Sequence, residues 1–142
     1  MIYTEMTKKA LQICFDAHKD QKDKSGLPYA FHPFHLAEQM PDELTTTVAL
    51  LHDVVEDSDF SFEYLQNAGF PQEVLDAVTL LTHDPNVPYM EYVAALKSNR
   101  IAREVKLADL RHNSDTSRLN EITDKDRARI EKYRKAIAML LE

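Results

Sequence analysis

Residues 50–58 place four ionisable side chains inside a largely apolar stretch, Leu-Leu-His-Asp-Val-Val-Glu-Asp-Ser. Apolar residues in and just before this stretch recur at the spacing of a buried helical face: Val48, Leu50, Leu51, Val54 and Val55. Burying the adjacent His52 and Asp53 without partners costs several kcal/mol, and a bound cation is the commonest way to offset that cost. The stretch therefore predicts a buried helix that carries a metal-binding or proton-transferring site.

No segment of the chain shows sustained alternation of apolar and polar residues, and only two of the 142 residues are glycine. Helical spacing and capping residues predict helices over about 4–21, 33–40, 43–55, 61–68, 71–82, 89–98, 100–115 and 123–141. On these boundaries His32 lies just before the second helix. The length is near the modal size of one domain. We therefore expect an all-α fold with a single domain over residues 1–142.

The 24 acidic residues outnumber the 17 basic ones, which gives a formal net charge of −7. This charge argues against binding of DNA or RNA through a broad basic surface, although a bound metal could still attract a small phosphorylated molecule. No apolar run approaches the roughly 20 residues that span a bilayer, and no basic segment followed by an apolar one marks the start of the chain. We expect a cytoplasmic protein that binds neither nucleic acid nor membranes. Exposed apolar helix faces are compatible with a homodimer, which the sequence alone does not decide.

Two histidines and two aspartates form the main candidate site: His32, His52, Asp53 and Asp109. They are far apart in sequence, so they can meet only through the fold. Their mixture of nitrogen and oxygen donors suits Mn, Fe or Zn better than Ca or Mg, which prefer oxygen alone. Simpler alternatives stay open at this point. The adjacent His52 and Asp53 can form a metal-free hydrogen-bonded pair, His32 can be a turn residue, and Asp109 can pair with a basic neighbour on a helix surface.

The other polar residues near these positions carry less specific signals. Glu56 and Asp57 can act on a water molecule, or they can form a solvated helix end. The remaining four histidines are expected at the edge of the core or on the surface rather than as ligands: His18, His35, His83 and His112.

Four sequence blocks, taken in their order and spacing, resemble one family. They are Ser-Gly-Leu-Pro-Tyr at 25–29 with His32-Pro33, the Leu-Leu-His-Asp-Val-Val-Glu-Asp run at 50–57, Val-Thr-Leu-Leu at 78–81, and Val-Lys-Leu-Ala-Asp at 105–109 with His112-Asn113. With these blocks the chain resembles the HD-domain metal-dependent phosphohydrolases. Among them it is most similar to the hydrolase domain of the RelA/SpoT alarmone enzymes and to the stand-alone small alarmone hydrolases.

The resemblance implies a helical HD bundle with (p)ppGpp 3′-pyrophosphohydrolase activity, in which a metal-activated water attacks a phosphoryl group. It implies one divalent metal, Mn²⁺ or alternatively Fe²⁺ or Zn²⁺, held by His32, His52, Asp53 and Asp109. The implied catalytic residues, which act on the attacking water, are Glu56 and Asp57. The implied contacts to a small-molecule nucleotide substrate are Lys22, Lys24, Lys106 and Asn113, and for Lys106 and Asn113 the alternative is that they support the metal ligands.

One departure from the family bears on the substrate. Asp23 stands just before Lys24-Ser25-Gly26, where the resemblance implies an arginine that stacks on guanine. The alternative substrates are therefore another nucleotide or a nicotinamide dinucleotide phosphate. A third hypothesis is an HD module that senses a nucleotide without hydrolysing it. The presence of all the implied metal ligands and acids favours an enzyme.

Overall fold

Nine helices make up the regular structure of the computed structural model, which describes residues 1–142. They are α1 Glu5–His18, α2 Phe31–Glu38, α3 Glu43–Leu51, α4 Val54–Asp57, α5 Phe62–Asn67, α6 Gln72–Leu81, α7 Tyr89–Leu96, α8 Arg100–Asn113 and α9 Asp124–Leu141. The only β-type pairing is an isolated bridge between Lys22 and Pro28. The predicted all-α fold is confirmed. None of the nine helices combines the length and the hydropathy needed to cross a membrane.

Helix α3 lies at the centre of the fold and contacts α1, α2, α6 and α8. Every residue from 45 to 51 is buried, three threonines among them. Its buried threonines are satisfied by the preceding turn: the hydroxyl of Thr46 donates to the Asp42 carbonyl at 2.7 Å, and that of Thr47 donates to the Glu43 carbonyl at 2.8 Å. Around α3, 27 buried residues form one continuous hydrophobic core.

The helix predicted over 43–55 is interrupted, which the sequence pattern did not indicate. Helix α3 ends at Leu51, His52 and Asp53 form a turn, and α4 begins at Val54. Asp53 has φ −109° and ψ 1°, in the sparsely populated region between the helical and extended conformations. The predicted helix was therefore wrong at the two residues that carry the main chemical signal.

The start of the second helix also differs from the prediction. Helix α2 begins at Phe31, so His32 lies inside its first turn rather than before it. Pro33 is compatible with this position because the first turn of a helix leaves its N–H groups without intrahelical acceptors. Helices α2, α3 and α8 contact one another, which brings the first turn of α2, the end of α3 and the middle of α8 to one point.

Candidate metal centre and adjoining cavity

The four residues predicted as metal ligands meet where these three helices converge. Ligand atoms of His32, His52, Asp53 and Asp109 all lie within 4.8 Å of one another. The His32 Nε2 atom is 2.8 Å from Asp109 Oδ1, and the His52 Nε2 atom is 2.9 Å from Asp53 Oδ2 and 3.5 Å from Asp109 Oδ1. Neighbouring side chains of a continuous α-helix point about 100° apart. The turn after α3 removes this constraint and allows His52 and Asp53 to face the same point.

The hydrogen bonds of His52 leave one ring nitrogen available as a ligand. Its Nδ1 atom lies 2.6 Å from the carbonyl oxygen of Ala49, which can only accept, so Nδ1 carries the proton. In the neutral ring Nε2 then has a free lone pair. This atom is fully buried and, although it is close to Asp53, it has no aligned hydrogen-bond partner. A buried nitrogen lone pair directed at two carboxylates is the arrangement expected of a metal ligand.

His32 is oriented by a third histidine, His112. The two Nδ1 atoms are 2.7 Å apart, and the rings are nearly parallel, with an interplanar angle of 12°. One of these nitrogens must donate to the other. Burial, His32 and Arg118 lower the pKa of His112 to about 4, so His112 is neutral and can accept. A metal ion bound at His32 Nε2 would leave the proton of the His32 ring on Nδ1, where His112 can accept it.

The charges of the cluster stabilise a cation at its centre. Burial alone would raise the pKa of Asp53, but His52 holds it at about 2, and Lys106 holds the pKa of Asp109 well below its usual range against the same effect of burial. Burial alone would lower the pKa of His52, but Asp53 and Asp109 raise it well above its ordinary value. Without a metal, the two ionised carboxylates thus favour a second proton on the His52 ring, at the nitrogen that a metal would otherwise occupy. A divalent metal with two nitrogen and two oxygen ligands supplies the same positive charge, so the residues present fit a metal ion.

Three further side chains hold the carboxylates of the cluster. The Tyr29 hydroxyl donates to Asp53 Oδ2 in a short hydrogen bond. Asn113 Nδ2 donates to Asp109 Oδ1, and Lys106 Nζ donates to Asp109 Oδ2, both at 3.0 Å. Contacts of this kind orient ligands and tune their basicity. Of the three, Tyr29 had no role in the sequence interpretation beyond its place in the 25–29 block.

Glu56 and Asp57 form a second acidic group beside Asp53, with oxygens within 4.8 Å of one another. Glu56 is anchored, because its Oε1 accepts a 2.7 Å hydrogen bond from the backbone N–H of His83. The Asp57 carboxylate has no such anchor. Burial, Asp53 and Glu56 raise the pKa of Asp57 to about 6. A carboxylate of this kind can exchange protons with water near neutral pH.

A cavity of about 300 Å³ opens beside His32 and Tyr29. Its walls come from the α1–α2 loop, the end of α8, the α8–α9 loop and the face of α9. Three of the predicted nucleotide contacts line it, namely Lys22, Lys24 and Asn113. The fourth does not, because Lys106 packs over the Tyr92 ring, 5.1 Å from its centroid, and is directed at Asp109.

Asp23 organises the α1–α2 loop. Its Oδ1 atom accepts hydrogen bonds from the backbone N–H groups of Ser25 at 2.9 Å and Leu27 at 3.0 Å, and from the Ser25 hydroxyl at 2.6 Å. Its Oδ2 atom pairs with Arg118 at 3.3 Å. The turn so formed includes Gly26 at φ +85°, a conformation that favours glycine. The sequence interpretation did not identify Arg118, which lies in an irregular segment with no periodicity.

Comparisons with known proteins agree with this geometry. No protein-family model matches the sequence. The guanosine-3′,5′-bis(diphosphate) 3′-pyrophosphohydrolase MESH1 of Danio rerio is 32% identical over 123 residues, which cover 78% of this chain and 68% of that protein. A probable guanosine-3′,5′-bis(diphosphate) 3′-pyrophosphohydrolase of Synechocystis sp. is 32% identical over 145 residues, and the match spans 91% of this chain but only 19% of that much longer protein.

One solved structure is similar over the whole chain. It is that of a metazoan ortholog of SpoT that hydrolyses ppGpp and plays a role in starvation responses. The two structures match with a TM-score of 0.77 at 26% sequence identity, covering 100% of this chain and 88% of the other.

Proposed function

The chain belongs to the HD-domain family of guanosine-3′,5′-bis(diphosphate) 3′-pyrophosphohydrolases, and from that membership we propose that it hydrolyses ppGpp and pppGpp at the 3′ position. One observation carries the proposal. The cluster of His32, His52, Asp53 and Asp109 adjoins a cavity lined by basic side chains, although the whole chain has a net charge of −7. With ppGpp, water would give GDP and pyrophosphate, and the ribose 3′ oxygen would leave as a hydroxyl.

The metal in this proposal is Mn²⁺, with Fe²⁺ and Zn²⁺ as alternatives, held by His32, His52, Asp53 and Asp109. When bound, such an ion lowers the pKa of a water molecule and polarises a phosphoryl oxygen. The protein's part is to keep the four ligands in place. Tyr29 fixes the Asp53 carboxylate through its hydroxyl. Lys106 and Asn113 of α8 fix the Asp109 carboxylate.

Glu56 and Asp57 have separate roles in this mechanism. Asp57 accepts the proton of the attacking water, since its carboxylate makes no hydrogen bond within the protein and lies beside Asp53. Glu56 orients that water with one carboxylate oxygen, because the other is held by the N–H of His83. Proton transfer of this type contributes about 10²–10⁴-fold to the rate of an enzyme reaction.

The nucleotide occupies the cavity of about 300 Å³. Lys22 and Lys24 from the α1–α2 loop bind its phosphates as exposed cations, and Asn113 contacts it from the end of α8. A cavity of this size lies at the lower end of the range for ligand pockets. The placement supports a nucleotide held with its reacting phosphate toward the metal ligands.

The deciding experiment measures pyrophosphate release from ppGpp by metal-depleted protein reloaded with Mn²⁺. We expect Mn²⁺-dependent release that Asp109→Asn abolishes, that Asp57→Asn lowers by about 10²-fold or more, and that Glu56→Gln also lowers. The matched control is Glu63→Gln, an exposed glutamate in the first turn of α5, which should keep the wild-type rate. No release by the wild type under Mn²⁺, Fe²⁺ or Zn²⁺ would contradict the proposal.

The same assay separates the alternative functions when it includes other phosphorylated nucleotides and a nicotinamide dinucleotide phosphate. The engagement of Asp23 in its own loop is the reason to include them. Turnover of another compound without turnover of ppGpp would reassign the substrate. Binding of a nucleotide without any turnover would favour a sensing module.

Four properties stay predictions from the sequence. Residues 1–142 are proposed to form one HD domain, to act in the cytoplasm, and to bind no nucleic acid. A homodimer through exposed apolar side chains is the fourth, and light scattering in solution would test it.

A further inference from the structure

Arg118 is held at the wall of the cavity by the α1–α2 loop and by the end of α8. Its Nη1 atom lies 3.3 Å from Asp23 Oδ2 in the α1–α2 loop, and its Nη2 atom donates to the His112 carbonyl at the end of α8, also at 3.3 Å. The side chain retains 30% of its exposure and lines the same cavity as His32. The guanidinium is therefore held in place while part of its surface stays accessible to a bound molecule.

The charge of Arg118 is largely neutralised by nearby carboxylates. Asp23 pairs with it directly, and Asp115 is near enough that Arg118 adds to the hydrogen bonds of Ser117 in lowering the Asp115 pKa. Lys22 and Lys24 differ, because neither forms an ion pair with a carboxylate. The two lysines have unbalanced positive charge for phosphates, whereas Arg118 offers mainly a planar group.

We propose that Arg118 binds the nucleobase of the substrate by stacking its guanidinium plane on the base, while Lys22 and Lys24 bind the phosphates. The inference rests on the proposed function for its choice of a nucleotide. Guanidinium planes stack on unpaired bases in nucleic-acid recognition, and lysine has no equivalent plane. Stacking uses the face that every base has, so it adds affinity without selecting one purine over another. Arg118 is thus a specificity residue for nucleotides over bare phosphates.

The test compares a ligand that has a base with one that lacks it. Dissociation constants of ppGpp and of inorganic pyrophosphate are measured by calorimetry on Mn²⁺-loaded protein that carries Asp57→Asn, which lacks the proposed proton acceptor and so consumes ppGpp only slowly. Adding Arg118→Ala should weaken the binding of ppGpp about tenfold and change the binding of pyrophosphate by less than about twofold. A tenfold loss corresponds to about 1.4 kcal/mol, which is within the range for stacking of one base. The control is Arg127→Ala, an exposed arginine of α9 outside the cavity, which should change neither constant.

A second variant, Arg118→Lys, separates the effect of the positive charge from that of the planar guanidinium, and it is less disruptive to folding than Arg118→Ala. It keeps a cation opposite Asp23 but loses the plane, so ppGpp should stay weakened by at least about threefold. Thermal unfolding of each variant confirms that it is folded. The affinity for ppApp is measured beside that for ppGpp. We expect Arg118→Ala to weaken the binding of both compounds by similar factors.

Several outcomes would overturn the inference. Equal losses for ppGpp and pyrophosphate would make Arg118 a phosphate contact. An unchanged ppGpp constant, or full recovery by Arg118→Lys, would leave no role for stacking. If the wild-type protein binds ppGpp but does not hydrolyse it, only the proposed function is contradicted. The comparison of the two ligands would still decide the role of Arg118. A protein that binds no ppGpp would overturn both.

Discussion

The Nδ1 atoms of His32 and His112 lie 2.7 Å apart, so one ring must donate its proton to the other. His32 also faces Asp109 with Nε2, whereas His112 packs against the exposed His35 ring. Because the pKa of His112 is lowered to about 4, His112 is neutral and can accept from His32 Nδ1 when a metal occupies His32 Nε2. His112 is therefore placed to fix the tautomer of His32 that can bind a metal.

Replacing this acceptor should weaken the metal site. His112→Phe keeps an aromatic ring beside His32 but removes the nitrogen, and we expect Mn²⁺ affinity to fall about 10–100-fold. The matched control is His35→Phe, since His35 touches the His112 ring, with centroids 4.4 Å apart, but makes no bond to His32. Metal titration followed by calorimetry gives both constants. Equal affinities for the two variants would show that the nitrogen has no role.

Tyr29 should matter for the metal site in a similar way, through Asp53 rather than His32. Tyr29→Phe removes the hydroxyl that donates to Asp53 Oδ2 and leaves the packing of the ring. We expect about tenfold weaker Mn²⁺ binding and little loss of stability. Tyr64→Phe is the control, because Tyr64 is half-exposed on α5 and away from the cluster. An affinity within about twofold of the wild type would contradict the role given to Tyr29.

Metal binding should stabilise the folded chain measurably. A ligand present at 100 times its dissociation constant adds about 2.7 kcal/mol, which for a chain of this length raises Tm by roughly 8 °C. We expect Mn²⁺ to produce this shift in the wild type and chelation to reverse it. Asp109→Asn should abolish the shift, whereas Asp115→Asn, outside the cluster, should retain it. A shift that persists in Asp109→Asn would place the bound ion elsewhere.

The types of residue in the metal cluster could be predicted, but their geometry could not. His32, His52, Asp53 and Asp109 stand out by chemistry and by their sequence blocks. The turn that aims two of them at one point is not marked locally, because the apolar spacing from Val48 to Val55 favours an unbroken helix. In the structure Asp53 of this turn accepts a hydrogen bond from Tyr29, a residue far away in the sequence.

The cavity wall was harder to predict for a related reason. Arg118 is 95 residues from its partner Asp23 and lies in a segment without periodicity, so no local pattern connects them. Lys106 shows the converse. Its place in a sequence block implied a contact either to the nucleotide or to the metal ligands, and only the structure directs it at Asp109 and over the Tyr92 ring. Motifs identify which residues matter, and long-range packing decides what they touch.

The N-cap of the central helix gives a prediction about pH and stability. Asp42 Oδ1 accepts from the Thr45 N–H and hydroxyl, each at 2.8 Å, and the bond to the Thr45 N–H lowers the Asp42 pKa below its ordinary 3.8, reinforced by Arg100. Asp42→Ala should cost about 1 kcal/mol at pH 7, or roughly 3 °C in Tm. Asp59→Ala, an exposed aspartate without these bonds, should leave Tm unchanged.

The sign of the pH effect follows from the direction of the Asp42 shift. Because the folded state holds the carboxylate ionised more strongly than the unfolded state, its stabilisation is complete above the ordinary pKa of 3.8 and is lost as the pH falls through the lower, folded value. The difference in Tm between the wild type and Asp42→Ala should therefore be constant from pH 7 to about pH 5 and shrink below pH 4. Asp42→Asn, which caps the helix without a charge, should lower Tm less than Asp42→Ala does at pH 7, and this decrease in Tm should change little with pH. A difference that grew on acidification would mean that the ionised carboxylate does not stabilise α3.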